Sequence, residues 1–163
     1  MSYHSAVIGF SYGGRCDGPG ISNETLIQRL KEKFPYLYKG PLILQSELAL
    51  CIPRDDLAKM HTKPFVIREH RAAGQSLDSY EVAAQAVEHV LESNYYPLYI
   101  LAYPFLQRPL CVWLVRSLIQ KYNTSVVPLS TGWIPSDPAS EKWWTRHPLY
   151  TAAYTAWRAC TIA

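Results

Sequence analysis

The sequence predicts a three-layer α/β fold of Rossmann-like type, with about five mainly parallel strands and helices on both faces. Short apolar runs alternate with helix-period segments from the N-terminus to about residue 129, the rhythm of successive βα units. The runs themselves, AVIGF, LIL, FVI and LYILAY, are continuously apolar, as in strands covered on both faces. Because parallel strands joined by helices cross over right-handedly, the topology narrows to doubly wound arrangements.

Val7, Ile8 and Phe10 form the first strand, followed by the turn SYGGRCDGPG, in which Gly13, Gly14 and Gly18 are expected at positive φ. Ser22 or Asn23 is the expected cap of a first helix whose Leu26, Ile27, Leu30 and Phe34 share one face and which Pro35 stops. Leu42, Ile43 and Leu44 give the second strand, with Gln45, Ser46 and Glu47 at its C-terminal end. Pro53 to His61 reads as a short helix with Asp55 and Asp56 in its first turn, where the dipole favours negative charge.

Phe65 to Arg68 is the third strand. Asp78 caps the next helix, Glu81 stands at capping-box spacing, and Val82, Ala86, Val87 and Val90 supply the apolar face. LYILAY after Pro97 is the fourth strand, and Arg108 to Tyr122 the helix behind it, carrying Val112, Val115, Leu118 and Ile119. SVVPL is the fifth strand, its proline placing it at a sheet edge or marking the strand's end. Beyond Trp133 the chain is proline-broken and aromatic, closing with a helix from Pro148 to about Ala159. The expected organisation is a single domain over residues 1–163, with 133–163 as an aromatic C-terminal extension packing on it.

The length of 163 residues suffices for one domain with a core and falls short of two. Hydrophobic residues at 48% and charged residues at 18% fit a globular chain. The net charge of +3 and pI of about 8.6 arise from scattered Lys and Arg without a basic stripe, which argues against a nucleic-acid partner. Cys16, Cys51, Cys111 and Cys160 show no CxxC spacing and read as reduced thiols of a cytosolic protein. The start MSYHSAVIGF lacks the basic lead and apolar core of a signal peptide, and no apolar stretch reaches the length of a membrane span, so a soluble cytoplasmic chain without a membrane segment is expected.

With the strands parallel, their C-terminal ends gather Ser11 to Asp17, Gln45 to Glu47, Glu69 to Ser79 and Tyr103 to Arg108 along one edge. A small ligand with anionic or hydroxyl groups would meet backbone N–H donors there, from the first loop around Gly13 and Gly14 and from the helix beginning near Ser79. The first loop has neither the GK[ST] ending of a Walker A loop nor G-x-G-x-x-G spacing, so ligand contact and a purely structural turn both stay open. Glu69 leaves the third strand where a carboxylate can accept ligand hydroxyls or act as a general base if burial raises its pKa. Its alternative is a surface carboxylate paired with Arg68 or Arg71. Glu47 has the same geometry, yet no tight ligand spacing supports a metal site.

Cys16, between Arg15 and Asp17 near a helix start, is a candidate thiolate. It needs a base, and nothing in the sequence brings His4, His61 or His70 to it. Asp78 and Glu81 are accounted for first by capping. Trp133, Trp143, Trp144, Tyr150, Tyr154 and Trp157 crowd the C-terminal segment, where a lid over the sheet edge is the favoured reading beside ligand stacking or a homodimer contact.

In the order of its motifs the chain resembles a divergent, compact member of the YdcF/SanA/ElyC-like family, a bacterial domain family, from about Ala6 to Leu129. The resemblance rests on AVIGFSY with its DG turn, on Asn23-x-x-Leu26-x-x-Arg29, on LILQS with Glu47, and on Glu69 followed by Ser76-Leu77-Asp78-Ser79-Tyr80-Glu81. The last is similar to the family's Glu and Ser-x-Asn-Thr-x-Glu pattern, with Asp78 for Asn and Ser79 for Thr. It implies a cleft lined or supported by Gly9, Ser11, Asn23, Arg29, Ser46, Glu47, Glu69, Ser76, Asp78, Ser79, Glu81 and Arg108, in a family of which one member binds S-adenosylmethionine; for this chain the expected cofactor is S-adenosylmethionine or a nucleotide. The chain departs from the family at Gln45-Ser46-Glu47, where relatives carry a Ser-Gly-Gly turn. It departs again at Leu101-Ala102…Phe105…Arg108, where relatives carry Thr-Ser…His…Arg, and Phe105 replaces the histidine. The expected function is binding of a small anionic or nucleotide-like ligand at the C-terminal edge of the sheet, with a hydrolase or transferase step assisted by Glu69 or Glu47. A non-catalytic binding module or protein-interaction domain is the alternative.

Overall fold

The structure, a computed structural model, describes residues 4–75, 77–105, 107–147, 149–154 and 157. Five strands, β1 (His4–Gly9), β2 (Leu42–Gln45), β3 (Phe65–Ile67), β4 (Tyr95–Leu101) and β5 (Val126–Pro128), form one sheet in the order β3-β2-β1-β4-β5. Every pairing is parallel. Helices α1 (Ile21–Lys33), α2 (Pro35–Lys39), α3 (Ser46–Ala49), α4 (Arg54–Leu57), α5 (Ser79–Ser93) and α6 (Gln107–Ile119) connect them. The fold is three-layer, Rossmann-like α/β.

Side chains alternate across a strand, and β1 therefore feeds two cores. Ala6, Ile8 and Phe10 pack with Val82, Ala86 and Val90 of α5 and with Cys111, Val115 and Ile119 of α6. Val7 packs on the other face with Leu26, Ile27 and Leu30 of α1, Tyr38 of α2 and Leu48 of α3. The chain winds outward from β1 through β2 to β3, then returns past the centre to β4 and β5. This reversal makes a crevice between the C-terminal ends of β1 and β4, the switch point at which open α/β sheets bind ligands.

Several local expectations are corrected by tertiary contacts. The first helix begins at Ile21 with Gly20 as its N-cap, not at Ser22 or Asn23. The carboxylate of Asp137, far along the chain, accepts from Ile21 N at 3.0 Å and so caps α1 from outside. Positive φ falls at Gly13 (75°) and Gly20 (83°) rather than at Gly14 or Gly18. Asp78 caps α5 through Glu81 N at 2.9 Å. The Glu81 carboxylate binds Arg71 instead of closing a capping box.

Proline positions follow the ladder. Pro97 lies inside β4, and the β1–β4 register shifts beside it, between His4 and Ala6, as proline in a sheet requires. Pro128 ends β5, an edge strand, as its sequence context indicates. The helix expected over Pro53 to His61 contracts to Arg54–Leu57, and Ser46 and Glu47, expected at the C-terminal end of the second strand, begin α3. Of the C-terminal helix, residues 149–154 and 157 are helical, and its other residues lie outside the described ones.

A cavity at the switch point

At the rim of the switch point the backbone of Ser11 is held from both sides. Its N–H donates to Gln45 Oε1 at 3.0 Å, and its carbonyl accepts from Gln107 Nε2 at 2.8 Å. Gln107 Oε1 in turn accepts from Tyr103 N at 2.9 Å. The end of β2 and the start of α6 are thus bolted to the residue just beyond β1. Phe10 N, donating to Leu101 O at 2.9 Å, carries the β1–β4 ladder up to this point.

Above this floor lies a cavity of about 220 Å³. Ser11, Gln45 and Gln107 line its floor, and Leu77, Asp78, Ser79 and Tyr80 at the start of α5 form one side. Leu110 and Leu114, one and two turns beyond Gln107 on α6, form a second. The roof is the C-terminal segment, through Lys142, Trp144, Thr145, Thr151 and Tyr154.

The roof is fastened to the first loop. Asn23, fully buried, accepts from Tyr12 N at 2.7 Å and donates to the carbonyls of Gly13 and Pro19. Ser140 Oγ pairs with the backbone of Gly14 in both directions and accepts from Thr145 Oγ1 at 2.7 Å. Asp137, 1% exposed, holds Arg15 with two bonds of 2.8 Å and accepts from Ala139 N at 3.0 Å. Burial pushes the Asp137 carboxyl up, but the Arg15 guanidinium and the amides of Ala139 and Ile21 outweigh it and hold the pKa below the ordinary value. The Tyr12 hydroxyl pairs with Thr151 Oγ1, and burial raises its pKa. The Tyr12 ring stacks on Tyr103 with centroids 3.7 Å apart, and Trp144 stacks on Tyr154 at 4.3 Å.

Among the described residues two buried side-chain oxygens have no hydrogen-bond partner, Ser11 Oγ at this rim and Thr131 Oγ1 beyond β5. Ser11 is 7% exposed, lines the cavity, and its Oγ makes no hydrogen bond. A buried hydroxyl left unpaired costs about 1–3 kcal/mol, and such a group is uncommon in a folded protein. Gln45 Oε1 is committed to Ser11 N. The N-termini of α5 and α6 flank the floor; at α5 the Asp78 carboxylate, itself in the lining, already accepts from Glu81 N at 2.9 Å, and at α6 Arg108 N donates to Tyr103 O at 3.1 Å.

The residues anticipated from sequence divide sharply in placement. Ser11, Gly13, Asp78 and Ser79 line the cavity, whereas Gly14 lies against Ser140 outside the lining. Asn23 holds the loop. Arg29 pairs with Glu32 on α1 at 3.1 Å, and Arg108 donates to Leu129 O at 2.8 Å. Ser46 donates to Glu47 at 3.1 Å, and neither lines the cavity. Glu69 is exposed, and it is its backbone carbonyl that Gln85 engages. Ser76 lies outside the described residues. Phe105 is exposed with φ of 65°. Gln107, Lys142 and Thr145 were not anticipated. Gln107 stands beside Arg108 at a helix start, a position that signals an inward-reaching amide, whereas nothing local marks Lys142.

The thiols and carboxylates elsewhere have structural settings. Cys16, Cys51 and Cys111 are free; burial pushes Cys51 up to about 12 and raises the wholly buried Cys111, and Cys160 lies outside the described residues. Among the described residues no group of His, Cys, Asp and Glu is arranged to hold a metal, and no helix is long and apolar enough to cross a membrane.

No protein-family model matches the chain, and neither a curated protein nor a solved structure matches it.

Proposed function

We propose that this protein binds a small anionic ligand in the switch-point cavity. The observation that carries the reading is the unpaired Ser11 hydroxyl, 7% exposed and facing a cavity that two helix N-termini flank. Lys142 adds a cation to the roof, and hydrogen bonds from charged groups to oxyanions are among the stronger ones available.

Catalysis by Glu69 or Glu47 draws no support from their placement outside the lining, whose one carboxylate among the described residues is Asp78, engaged as the cap of α5. A binding module is accordingly the reading favoured over a hydrolase or transferase. A nucleotide or S-adenosylmethionine fits the cavity poorly, because pockets for drug-sized ligands run to about 300–1,000 Å³ and this cavity has about 220 Å³. The rings of Trp144 and Tyr154 are also stacked on each other rather than parted for a base.

Melting curves with inorganic phosphate, short carboxylates, mononucleotides and S-adenosylmethionine test the reading. A small oxyanion is expected to raise the melting temperature in proportion to its occupancy, and Ser11→Ala to remove most of the shift while Glu69→Ala leaves it intact. Equal shifts in wild type and Ser11→Ala, or none with any anion, overturn it.

A further inference from the structure

The two ends of the cavity differ in chemistry, and the difference names a ligand class. The floor is polar: Ser11 Oγ has no partner, Gln45 presents an amide whose oxygen is already committed to Ser11 N, and Gln107 starts α6 beside them. Moving along α6, the next lining residues are Leu110 and Leu114. At 1.5 Å rise per residue they stand about 4.5 and 10 Å along the axis from Gln107. Tyr80 of α5 faces the same space, and Trp144 of the roof covers it.

Resting on the anion-binding reading above, we propose that the ligand is an amphipathic oxyanion, a carboxylate or phosphate monoester with a short aliphatic tail. The oxyanion sits on the floor donors and Lys142; the tail lies against Leu110, Leu114 and Tyr80. An aliphatic tail suits this slot better than a nucleobase. The lining leucines offer contact without a flat stacking face, and the Tyr12 and Trp144 rings are already stacked on Tyr103 and Tyr154. The cavity volume of about 220 Å³ lies below the roughly 300–1,000 Å³ usual for ligand pockets, which suits a short tail.

Calorimetric titration with two homologous series, acetate to octanoate and methyl to octyl phosphate, tests this directly, with adenosine monophosphate as comparator. Affinity is expected to rise about threefold to fourfold per methylene over the first few carbons and then level off. The series with the higher plateau identifies the head group. Leu110→Asn is expected to flatten the chain-length dependence, lowering the longer members more than the shortest; Lys142→Ala lowers every member by the same factor, about tenfold. Binding of short anions and adenosine monophosphate with no gain along either series overturns the tail and leaves the anion site standing. Failure of every anion to bind overturns both. If Leu110→Asn lowers the melting temperature of the free protein, Tyr80→Ser, at a side chain 47% exposed, is the second variant expected to flatten the series.

Discussion

Gly13 shows how a single residue joins the first loop to the C-terminal segment. Its φ is 75°, and a Cβ added there would lie 2.6 Å from both Ser140 Oγ and Thr145 Oγ1, closer than atoms can approach. Gly13→Ala is expected to destabilise the fold by about 1–3 kcal/mol, measured by denaturant unfolding, and to weaken anion binding because Thr145 must move. Glu81 makes a second point at this scale. Arg71 and Gln85 hold its carboxylate, and despite burial its pKa falls from the ordinary value to about 2. A group whose pKa is lowered by folding contributes stability that is present above its unfolded pKa and is lost as pH falls through the folded one. Wild type is therefore expected to lose stability between about pH 4.5 and 2; Glu81→Gln starts less stable at pH 7, and the gap narrows in acid. A constant gap from pH 7 to 2 would contradict the ion pair.

At the scale of elements, α1 has a cap that its own sequence lacks. Gly20 offers no side chain, and Asp137 accepts from Ile21 N while also holding Arg15. Asp137→Ala removes a cap and leaves Arg15 without its carboxylate, so a loss of about 2 kcal/mol is expected. Amide exchange should accelerate at the start of α1 and across residues 137–145 together; acceleration at only one of them would deny the coupling. Sequence reading placed all five strands and the two long helices of the α5–α6 face because their apolar periodicity is local and strong. It misplaced the α1 cap because the capping group lies 116 residues away, and helix-start rules weigh only neighbours. It also placed Ser46 and Glu47 at the end of the second strand, where β2 runs directly into the four residues of α3.

For the whole molecule, the parallel sheet made the C-terminal rim legible as the location of a site, and Ser11, Asp78 and Ser79 fall there. The roof was legible only as an aromatic extension, since the placing of Lys142, Thr145 and Thr151 depends on how a segment without regular periodicity folds back onto β1. The carboxylates read as catalytic, Glu69 and Glu47, sit at strand ends as expected but outside the cavity lining, because a position along the rim does not specify direction. Closure of the roof depends on contacts between residues more than 100 apart in sequence. Ligand binding and docking of this segment are consequently expected to stabilise each other.

Amide chemical-shift mapping during titration with butyl phosphate tests the central claim most directly. Occupation of the switch-point cavity predicts the largest saturable shifts at Ser11, Ser79, Gln107, Lys142 and Thr145, with Glu69 and Arg29 unmoved. Shifts centred on Glu69, or a linear response scattered over exposed lysines, would contradict it.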